Sequence, residues 1–439
     1  MTVSLLNLVV LASVLGAGAP VVVETLDVAP VWAGHPVSFC LLTHGDRQFA
    51  SFYDADRTMT VAVRALAEKE WHLVRLPEQV GWDSHNYITM AVDDDGFLHL
   101  SGNMHVDPLV YFRTQKPLDI DTFARAPMVG EKEDRTTYPR FLRGAKDELL
   151  FTYRDGKSGN GDQIYNVYDT ETKTWRRLLD APLTSGQGKM NAYLNGPLRG
   201  PDERFHLCWV WRDTSGCELN HDPCYARSDD LVHWETGAGV PIPLPMTIEN
   251  ADIVDPVPVR GGIINGNTRL GFDSQHRPVV SYHKFDEAGN TQIYSARLED
   301  GAWKIYQTTD WDYRWEFSGG GSIRFEIRLS SVQPHGKGTL EQGYRHDKYG
   351  SGTWLLDETT LKPIGTVDKP PAYPKELSVV QSDFPEMQIR RAGDLGRGPD
   401  PATWYILQWE TLGRNRDHPR EGPLPPPSML KLVTLRRPR

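Results

Sequence analysis

Short apolar runs separated by turn residues recur along the chain and indicate β-strands. Segments such as TWYILQWE (403–410) and MLKLVTL (429–435) have the length and the β-branched and aromatic content of strands. No long amphipathic helical window is present, and Gly or Pro interrupts most segments that could form one. The pattern therefore predicts an all-β protein, with these two segments in its closing sheet, and argues against an α/β fold.

A degenerate repeat runs through the middle of the chain. Four segments share an apolar strand, a Tyr-containing strand, an acidic turn and, in most of them, a Trp. Their tyrosines, at Tyr111, Tyr165, Tyr225 and Tyr294, recur at intervals of about 60 positions. This spacing suits a four-stranded propeller blade with long loops, and roughly 420 residues would divide into about seven blades. The sequence thus predicts a seven-bladed β-propeller that occupies residues 20–439 as a single catalytic domain.

Two histidines flank one predicted hairpin within the segment GWDSHNYITMAVDDDGFLHLSGNMH. The chain between His85 and His105 has the length of a strand, a turn at Asp93–Gly96 and a return strand. We therefore expect both imidazoles to reach the same end of the hairpin.

The composition favours a sugar-binding protein over one that binds nucleic acid. A formal net charge of −10 and a pI near 5.8 do not provide the basic face that nucleic acid requires. The 13 Trp, 17 Tyr and 14 Phe residues are typical of surfaces on which sugars stack. A protein of this charge that binds an acidic glycan must concentrate its cations locally.

The N-terminal residues 1–19 are predicted to be a signal peptide, which places the protein outside the cytoplasm. The apolar run from Leu5 to Leu15 is too short to span a bilayer, and Ala17-Gly18-Ala19 resembles a cleavage site. The segment departs from the usual signal in one respect, because no Lys or Arg precedes Arg47. No membrane partner is expected.

Four cysteines are too few for a disulfide scaffold in a chain of this length. Cys217 and Cys224 could close a loop, whereas Cys208, within FHLCWVW, is expected to be a buried thiol. The group Asn220-His221-Asp222 with Cys224 is a weak zinc motif. Asp93–Asp95 is expected to be a solvated turn rather than a calcium site.

The common catalytic motifs are absent: the chain has no P-loop, no GxSxG, no HExxH and no CxxC. What remains is a set of polar residues beside predicted strands, namely His85, His105, Tyr138, Arg154, Arg212, His221 and His283. Each has a structural alternative, because a His or Arg at a strand end is more often hydrogen-bonded than catalytic. His99, at alternate spacing in FLHLSG, is expected to pack in the core.

These residue types suit β-elimination from a uronic acid. The reaction needs a cation for the carboxylate, a base for the C5 proton and an acid for O4, and Arg, His and Tyr can supply all three. In a glucuronate the C5 proton and O4 lie on one face, so a single His or Tyr could act as base and then as acid. A hydrolase would instead need paired carboxylates, and no such pair stands out.

Several longer motifs resemble those of BNR-4 type propeller proteins. They are GWDSHNYITMAVD, HLSGNMH, TYPRF, YRDGKSGNGDQIYNVYD, WVWRD with NHDPCYARSDDLVHWE, and DWDYRWEFSGGGSI. Between about residue 30 and about residue 350, the chain looks most like polysaccharide lyase family 27, the L-rhamnose-α-1,4-D-glucuronate lyases. The ulvan lyases of families 24 and 25 look like more distant relatives.

The resemblance implies a seven-bladed propeller that removes terminal rhamnose from the glucuronate of arabinogalactan side chains and leaves a 4,5-unsaturated uronate. The family's two histidines, tyrosine and arginine match His85, His105, Tyr138 and Arg154. Arg154 would neutralise the carboxylate and His105 would be the base, while His85 and Tyr138 compete for carboxylate contact and proton delivery. Further substrate contacts are expected at Arg212, His221, His283, Arg314 and Arg345.

The resemblance also sets expectations for cofactors and partners. No cofactor is required for the chemistry, and a structural divalent metal would be calcium rather than zinc. The expected partner is an acidic glycan with rhamnosyl-glucuronate ends, bound by a monomer. Three alternatives stay open: an α-L-rhamnosidase acting on the same bond, a sialidase-like hydrolase, and a non-catalytic carbohydrate-binding propeller.

Overall fold

Strands are the main regular structure of the computed structural model, which describes residues 18–437. Among these residues, helical turns are confined to three short 3₁₀ segments at Ile120–Thr122, Cys217–Leu219 and Lys375–Ser378. Within residues 18–437, no helical segment has the length and apolar character of a membrane span. The predicted all-β class is confirmed. The predicted signal peptide lies outside the described residues, apart from its last two.

The described strands form seven antiparallel sheets, numbered I to VII below. The first strand of the chain is β1 (Val21–Val31). Sheet I contains β2 (Cys40–His44), β3 (Arg47–Tyr53), β4 (Thr58–Ala65) and β5 (His72–Gln79). The next five strands are β6 (Ile88–Val92), β7 (Leu98–Gly102), β8 (His105–Asp107), β9 (Tyr111–Thr114) and β10 (Phe123–Arg125). Sheet II contains β6, β7, β9 and β10.

Strand β8 leaves sheet II and pairs with the next sheet. Sheet III therefore contains β8 together with β11 (Thr136–Arg143), β12 (Leu149–Lys157), β13 (Asn160–Asp169) and β14 (Thr174–Arg177). Sheet IV contains β15 (Asn191–Arg199), β16 (Phe205–Arg212), β17 (Asn220–Ser228), β18 (Trp234–Glu235), β19 (Pro241–Ile242) and β20 (Asp252–Ile253).

The remaining three sheets complete the chain. Sheet V contains β21 (Arg269–Phe272), β22 (Pro278–Phe285), β23 (Thr291–Glu299) and β24 (Ala302–Gln307). Sheet VI contains β25 (Ile327–Leu329), β26 (Gln333–Gly336), β27 (Thr339–His346), β28 (Gly350–Asp357) and β29 (Pro363–Thr366). Sheet VII contains β30 (Met387–Gly393), β31 (Thr403–Leu412) and β32 (Ser428–Arg436), joined by β1.

Sheet VII joins the two ends of the described chain. Strand β1 pairs along its length with β32, from Val21 opposite Arg436 to Val31 opposite Ser428. The two C-terminal segments predicted as strands are β31 and β32, so their assignment to the closing sheet is confirmed. Because β32 lies between β1 and β31, its backbone groups are paired on both sides, and the ladder holds the two chain ends together.

Successive sheets contact each other in chain order. Strand β2 contacts β6 and β30, β6 contacts β11, β13 contacts β15, β16 contacts β21, and β21 contacts β26. The loop between β31 and β32 contacts the loop before β25, because Oδ2 of Asp417 accepts a hydrogen bond from the Ser322 amide at 2.8 Å. Strands between such neighbours can be buried along their whole length, as in β16, where all eight residues are buried.

The tyrosine repeat marks equivalent strands. Its four members lie in β9, β13, β17 and β23, each the third strand of its sheet in chain order once the added strand β8 is set aside. All four side chains are buried: Tyr111, Tyr165, Tyr225 and Tyr294. The repeat predicted from sequence is therefore confirmed as a structural repeat.

Two sequence expectations need correction. All four cysteines are free and buried, so the predicted loop closure between Cys217 and Cys224 is wrong, whereas Cys208 is the buried strand thiol expected. Asp93 is also buried: its Oδ1 accepts from the Phe97 amide at 2.8 Å and its Oδ2 lies 3.2 Å from Nε2 of His99. Asp94 and Asp95, the other two aspartates of that turn, are exposed. His99 packs in the core as predicted.

Candidate active site

The predicted hairpin places His85 and His105 side by side. Strands β6 and β7 pair antiparallel, with Ile88 opposite Gly102, so the residues before β6 and after β7 meet at one end. His85 precedes β6, His105 begins β8, and their ring centroids are 4.4 Å apart. Both imidazoles are partly exposed, with 24% of each side chain accessible to solvent.

One carboxylate joins the two imidazoles. Oδ1 of Asp83 lies 2.6 Å from Nδ1 of His85, and Oδ2 accepts a hydrogen bond from Nδ1 of His105. Burial alone would raise the pKa of Asp83, but the hydrogen bonds from His105 and His85 hold it well below its usual value. Because Nδ1 of each ring faces the carboxylate, each neutral ring carries its proton there and presents Nε2 as an acceptor.

Tyr138 faces the histidines from an irregular point of β11. The register between β11 and β12 shifts between Thr137 and Arg140, and Tyr138 adopts a φ of 57°, a conformation rare for a bulky residue. This bulge turns the phenol toward the imidazoles, with ring centroids 5.7 Å from His85 and 6.1 Å from His105. Burial, followed by the neighbouring Tyr193, raises the pKa of Tyr138, so its phenol stays protonated.

Arg154 lies next to Tyr138 with most of its hydrogen-bonding capacity unused. It stands opposite Thr137 in the β11–β12 ladder and is 2% exposed. Nε donates to the Gly156 carbonyl at 3.2 Å, but neither terminal nitrogen has a hydrogen-bond partner among the described residues. The guanidinium carbon is 4.9 Å from the Tyr138 ring centroid. A buried guanidinium with two free donors is suited to a bidentate carboxylate.

Tyr193 and Arg212 extend this group into sheet IV. Arg212 Nη1 donates to the Tyr193 hydroxyl at 3.2 Å, and Arg154 lies 5.8 Å from the same ring. Burial of Tyr193 would raise its pKa, but the two guanidiniums, Arg212 first, outweigh that effect and lower it. The sequence prediction included Arg212 but missed Tyr193, because MNAYLNG gives no signal that distinguishes it from the structural tyrosines.

Asp417 fixes the backbone next to His85. Its Oδ1 accepts from the Ser84 hydroxyl at 2.6 Å and from the Ser84 amide at 3.1 Å, and Oδ2 lies 3.6 Å from Nδ1 of His85. Asp417 and Asp83 were both missed from the sequence. Asp83 could have been found from the sequence, because it lies two residues before His85. Asp417 could not, because it lies near the opposite end of the chain.

These groups open into one large cavity, defined here by the residues around it. Its volume is about 800 Å³, and its wall includes His85, His105, Tyr138, Arg154, Tyr193 and Arg212. Segments within or beside all seven sheets contribute to the wall. Six arginines and one lysine line it, and among the described residues no Asp or Glu does: Arg140, Arg154, Lys157, Arg212, Arg269, Arg328 and Arg414. The protein is acidic overall, but positive charges are concentrated in this cavity, as expected for a protein of this charge that binds an acidic glycan.

Two predicted substrate histidines lie away from the large cavity. His221 is buried between two aspartates, with Nε2 3.0 Å from Asp213 and Nδ1 2.9 Å from Asp222. His283 is fully buried, with its ring centroid 5.2 Å from that of Trp315. Neither side chain lines the large cavity, so the structure does not bring these two histidines together with His85, His105, Tyr138 and Arg154.

Two predicted substrate arginines also lie elsewhere. Arg314 stacks on Phe285, pairs with Glu316 and lines a separate, smaller cavity. Arg345 donates to the Phe325 carbonyl and lies 3.4 Å from Asp347. Neither belongs to the wall of the large cavity, so the structure does not bring these two arginines together with the other predicted site residues.

One cluster of side chains offers a donor set for a metal ion. Among the described residues, one group of at least three His, Cys, Asp or Glu side chains has ligand atoms within 4.8 Å of each other: Asp83, His85 and His105. Two nitrogen donors and one carboxylate fit zinc rather than calcium, which prefers oxygen. A zinc ion would be held by these three residues and, as a Lewis acid, could polarise a carboxylate. Binding of zinc would also replace the hydrogen bonds between Asp83 and the two imidazoles.

Comparison with known proteins identifies the family. A model of the BNR repeat-containing family, BNR_4, matches residues 47–311. The chain belongs to this family. The matched range begins at β3 and ends shortly after β24, so it includes His85, His105, Tyr138, Arg154 and Arg212 and leaves out sheets VI and VII.

Some relatives of this BNR_4 chain are ulvan lyases. The long isoform from Alteromonas sp. (strain LOR) is 25% identical over 140 residues, which cover 29% of this chain and 14% of the relative. The long isoform from Pseudoalteromonas sp. (strain PLSV) is 28% identical over 138 residues, 27% of this chain and 13% of the relative. The chain thus matches only a small part of these relatives' length.

Solved structures extend the similarity over nearly the whole BNR_4 chain. The polysaccharide lyase Uly1 is 13% identical with a TM-score of 0.60, and the alignment covers 94% of this chain and 99% of that one. A PL25 ulvan lyase bound to -[GlcA(1-4)Rha3S]- is 14% identical with a TM-score of 0.57, covering 88% and 93%. At these identities the comparison establishes a shared fold.

Proposed function

We propose that this protein is a polysaccharide lyase that cleaves the L-rhamnose-α-1,4-D-glucuronate bond of arabinogalactan-type glycans by β-elimination. One observation carries the proposal: an unpartnered guanidinium, a protonated phenol and two imidazoles held by one carboxylate face a single cation-rich cavity. The family membership and the similarity to lyases support the same reaction class.

We further infer that the seven sheets are the blades of a seven-bladed propeller formed by residues 20–439. The contacts between successive sheets, the links from sheet VII back to sheet I and, through its β31–β32 loop, to the loop before sheet VI, and a cavity lined from all seven support this arrangement. Secretion and a monomeric state belong to the proposal. They suit an enzyme that acts on an extracellular glycan.

Arg154 is the proposed carboxylate-binding residue. Its two free terminal nitrogens can donate to both carboxylate oxygens of the glucuronate. Neutralising that carboxylate acidifies the C5 proton, because the carbanion formed on its loss spreads charge onto the same group. Arg212, hydrogen-bonded to Tyr193 beside it, adds positive charge to this side of the cavity.

Proton transfer is assigned to His105 and Tyr138. Nε2 of neutral His105 takes the C5 proton, the C4–O4 bond breaks, and a C4=C5 double bond forms. The departing O4 leaves with rhamnose and takes a proton from Tyr138, whose raised pKa keeps that proton available. His85 shares Asp83 with His105, and we assign it to contact with the substrate carboxylate, which leaves the role of acid to Tyr138.

The geometry favours elimination over hydrolysis. The two carboxylates nearest the imidazoles, Asp83 and Asp417, are both engaged in hydrogen bonds, and neither lines the large cavity. A hydrolase needs an acid and a base or nucleophile that both reach the glycosidic bond. This argues against the rhamnosidase and sialidase alternatives.

A sulfated glucuronate–rhamnose polysaccharide is a second candidate substrate. The observation that favours it is the excess of arginines in the cavity wall over what one carboxylate requires. The PL25 ulvan lyase with similar fold was solved with a sulfated glucuronate–rhamnose chain.

The deciding experiment is incubation with gum arabic and, in parallel, with ulvan. Elimination produces free rhamnose or a shortened chain together with the ultraviolet absorbance of an unsaturated uronate. Hydrolysis would release rhamnose without a new chromophore, and a binding protein would release nothing. The His105→Ala variant, checked for folding by circular dichroism, should lose roughly 10²-fold to 10⁴-fold in rate. Wild-type protein that forms no chromophore on either glycan would refute the proposal.

A further inference from the structure

The large cavity contains a second group of arginines that the proposed mechanism does not use. Arg269 begins β21, Arg328 lies in β25, and Arg414 follows β31, so the group comes from sheets V, VI and VII. The proposed catalytic residues belong to sheets II and III. The two groups therefore face the same cavity from different parts of the fold.

Arg269 is held in place entirely by backbone carbonyls. Nε donates to Leu329 at 3.0 Å, Nη2 to Gly266 at 2.7 Å and Nη1 to Thr268 at 3.3 Å. Carbonyls fix the direction of the guanidinium but leave its formal charge unneutralised. This is the geometry of a preorganised anion-binding group rather than of an ion pair.

Arg328 and Arg414 also have no acidic partner among the described residues. The guanidinium carbon of Arg328 lies 4.4 Å from the Phe325 ring centroid, and Arg414 Nη1 donates to the Ile323 carbonyl at 3.1 Å. A shortage of acids does not explain this, since the chain has 58 Asp and Glu for 48 Lys and Arg. The buried Arg297, by contrast, is paired with Glu299 at 2.7 Å.

Keeping these like charges together costs free energy. Burial, followed by repulsion from nearby arginines, lowers the pKa of Arg328 to about 10; those neighbours are Arg414, Arg345, Arg269 and Arg390. A bound anion would relieve this repulsion. The cavity volume of about 800 Å³ is near the upper end of ligand pockets, so it can hold more than one sugar.

We propose that Arg269, Arg328 and Arg414 form a second anion subsite. It binds a carboxylate or sulfate ester on a sugar adjacent to the uronate that Arg154 holds. This inference rests on the proposed function for its substrate class, and it specifies that the preferred glycan carries two anionic groups close together.

The test measures oligosaccharide binding in a His105→Ala background, so that turnover does not interfere. Three oligosaccharides share the rhamnosyl-glucuronate unit and differ in the adjacent sugar, which is neutral, uronate or sulfated. In titration calorimetry, R328Q/R414Q should weaken binding of the charged ligands about 10-fold to 100-fold. Binding of the neutral-flanked ligand should change by less than about 3-fold. The ligand that loses more affinity identifies the anion as carboxylate or sulfate.

Two controls keep the result interpretable. R75Q removes an arginine that is outside the cavity and paired with Asp54 and Asp56, and it should leave all three affinities unchanged. R414Q alone, at an exposed position, replaces the double variant if that one does not fold. Equal weakening for all three ligands, or no change for any, overturns the subsite. Selective weakening supports it even if wild-type protein shows no lyase activity, so the two proposals fail separately.

Discussion

Nδ1 of His85 lies 2.6 Å from Oδ1 of Asp83, and the other oxygen of the same carboxylate accepts from His105. One residue thus sets the tautomer and orientation of both imidazoles. We expect Asp83→Asn to reduce kcat by roughly 10²-fold or more, because the amide nitrogen cannot accept from the second ring. KM should change far less, since Asp83 does not line the cavity. Steady-state kinetics over a range of pH provides the measurement.

A matched control for this variant exists outside the cavity. Asp202 accepts from Nε2 of the buried His206 at 2.8 Å, so Asp202→Asn breaks a similar contact without touching the proposed site. It should leave kcat unchanged. If both variants lose activity equally, Asp83 has a structural role only.

Tyr138 should be required as a protonated acid. Tyr138→Phe is expected to lower kcat by roughly 10²-fold to 10⁴-fold. Because burial raises the pKa of this phenol above its ordinary value of 10, its titration should cause no loss of wild-type activity below pH 10. Rate–pH profiles test both statements, with Tyr294→Phe in sheet V as the control. A variant with wild-type kcat would exclude Tyr138 as the acid.

Arg154 should stabilise the complex while destabilising the free protein. Its two buried, unpartnered nitrogens cost free energy until a carboxylate binds. Arg154→Met should therefore raise the free energy of unfolding by about 1–3 kcal/mol and abolish detectable glucuronate binding. Urea denaturation and calorimetry measure the two effects.

The comparison for this variant is Arg297, which is 3% exposed and paired with Glu299. Arg297→Met removes one partner of Glu299, which keeps Lys304 at 2.7 Å and Tyr306 at 2.5 Å, and should destabilise the protein by about 1–3 kcal/mol. If both substitutions change stability in the same direction, Arg154 is not the unsatisfied cation proposed.

The local part of this site could be read from sequence. The interval between His85 and His105 contains a strand, a turn and a strand, so geometry brings the two rings to one end. Tyr138 and Arg154 are likewise brought together by local chain geometry, because β11 and β12 form a hairpin in which Arg154 lies opposite Thr137. The tyrosine repeat could also be recognised from sequence. Each repeat forms one antiparallel sheet from consecutive segments, so equivalent positions recur in the third strand of each sheet.

What sequence could not provide were contacts between distant segments and the burial of individual residues. Asp417 meets Ser84 from the opposite end of the chain, and no local pattern encodes that contact. His283 looked like a strand-edge ligand but faces Trp315 in the core. In a strand, a shift of one residue moves a side chain from one face to the other, and the local sequence does not show which face is open.

Zinc should act as an inhibitor. Asp83, His85 and His105 offer a donor set for a borderline metal, but an ion there would occupy the nitrogen atoms that hydrogen-bond to the carboxylate. Added Zn²⁺ is expected to lower the rate and Ca²⁺ to leave it unchanged, because calcium prefers oxygen ligands. Activity titrations with each ion, reversed by a chelator, test this. Stimulation by zinc would show that the ion participates in the reaction.

Acid should destabilise the fold through His283. Complete burial lowers its pKa from 6.5 to about 4, so the unfolded chain takes up this proton first as the pH falls. The contribution to stability is full above pH 6.5 and is lost as the pH falls toward 4, by up to about 3 kcal/mol. His283→Phe keeps the ring contact with Trp315 and should unfold with a smaller pH dependence over this range in urea titrations. His233→Gln, at a largely exposed position, should retain the wild-type dependence. If the His283→Phe variant has the wild-type slope, the acid sensitivity originates from other groups.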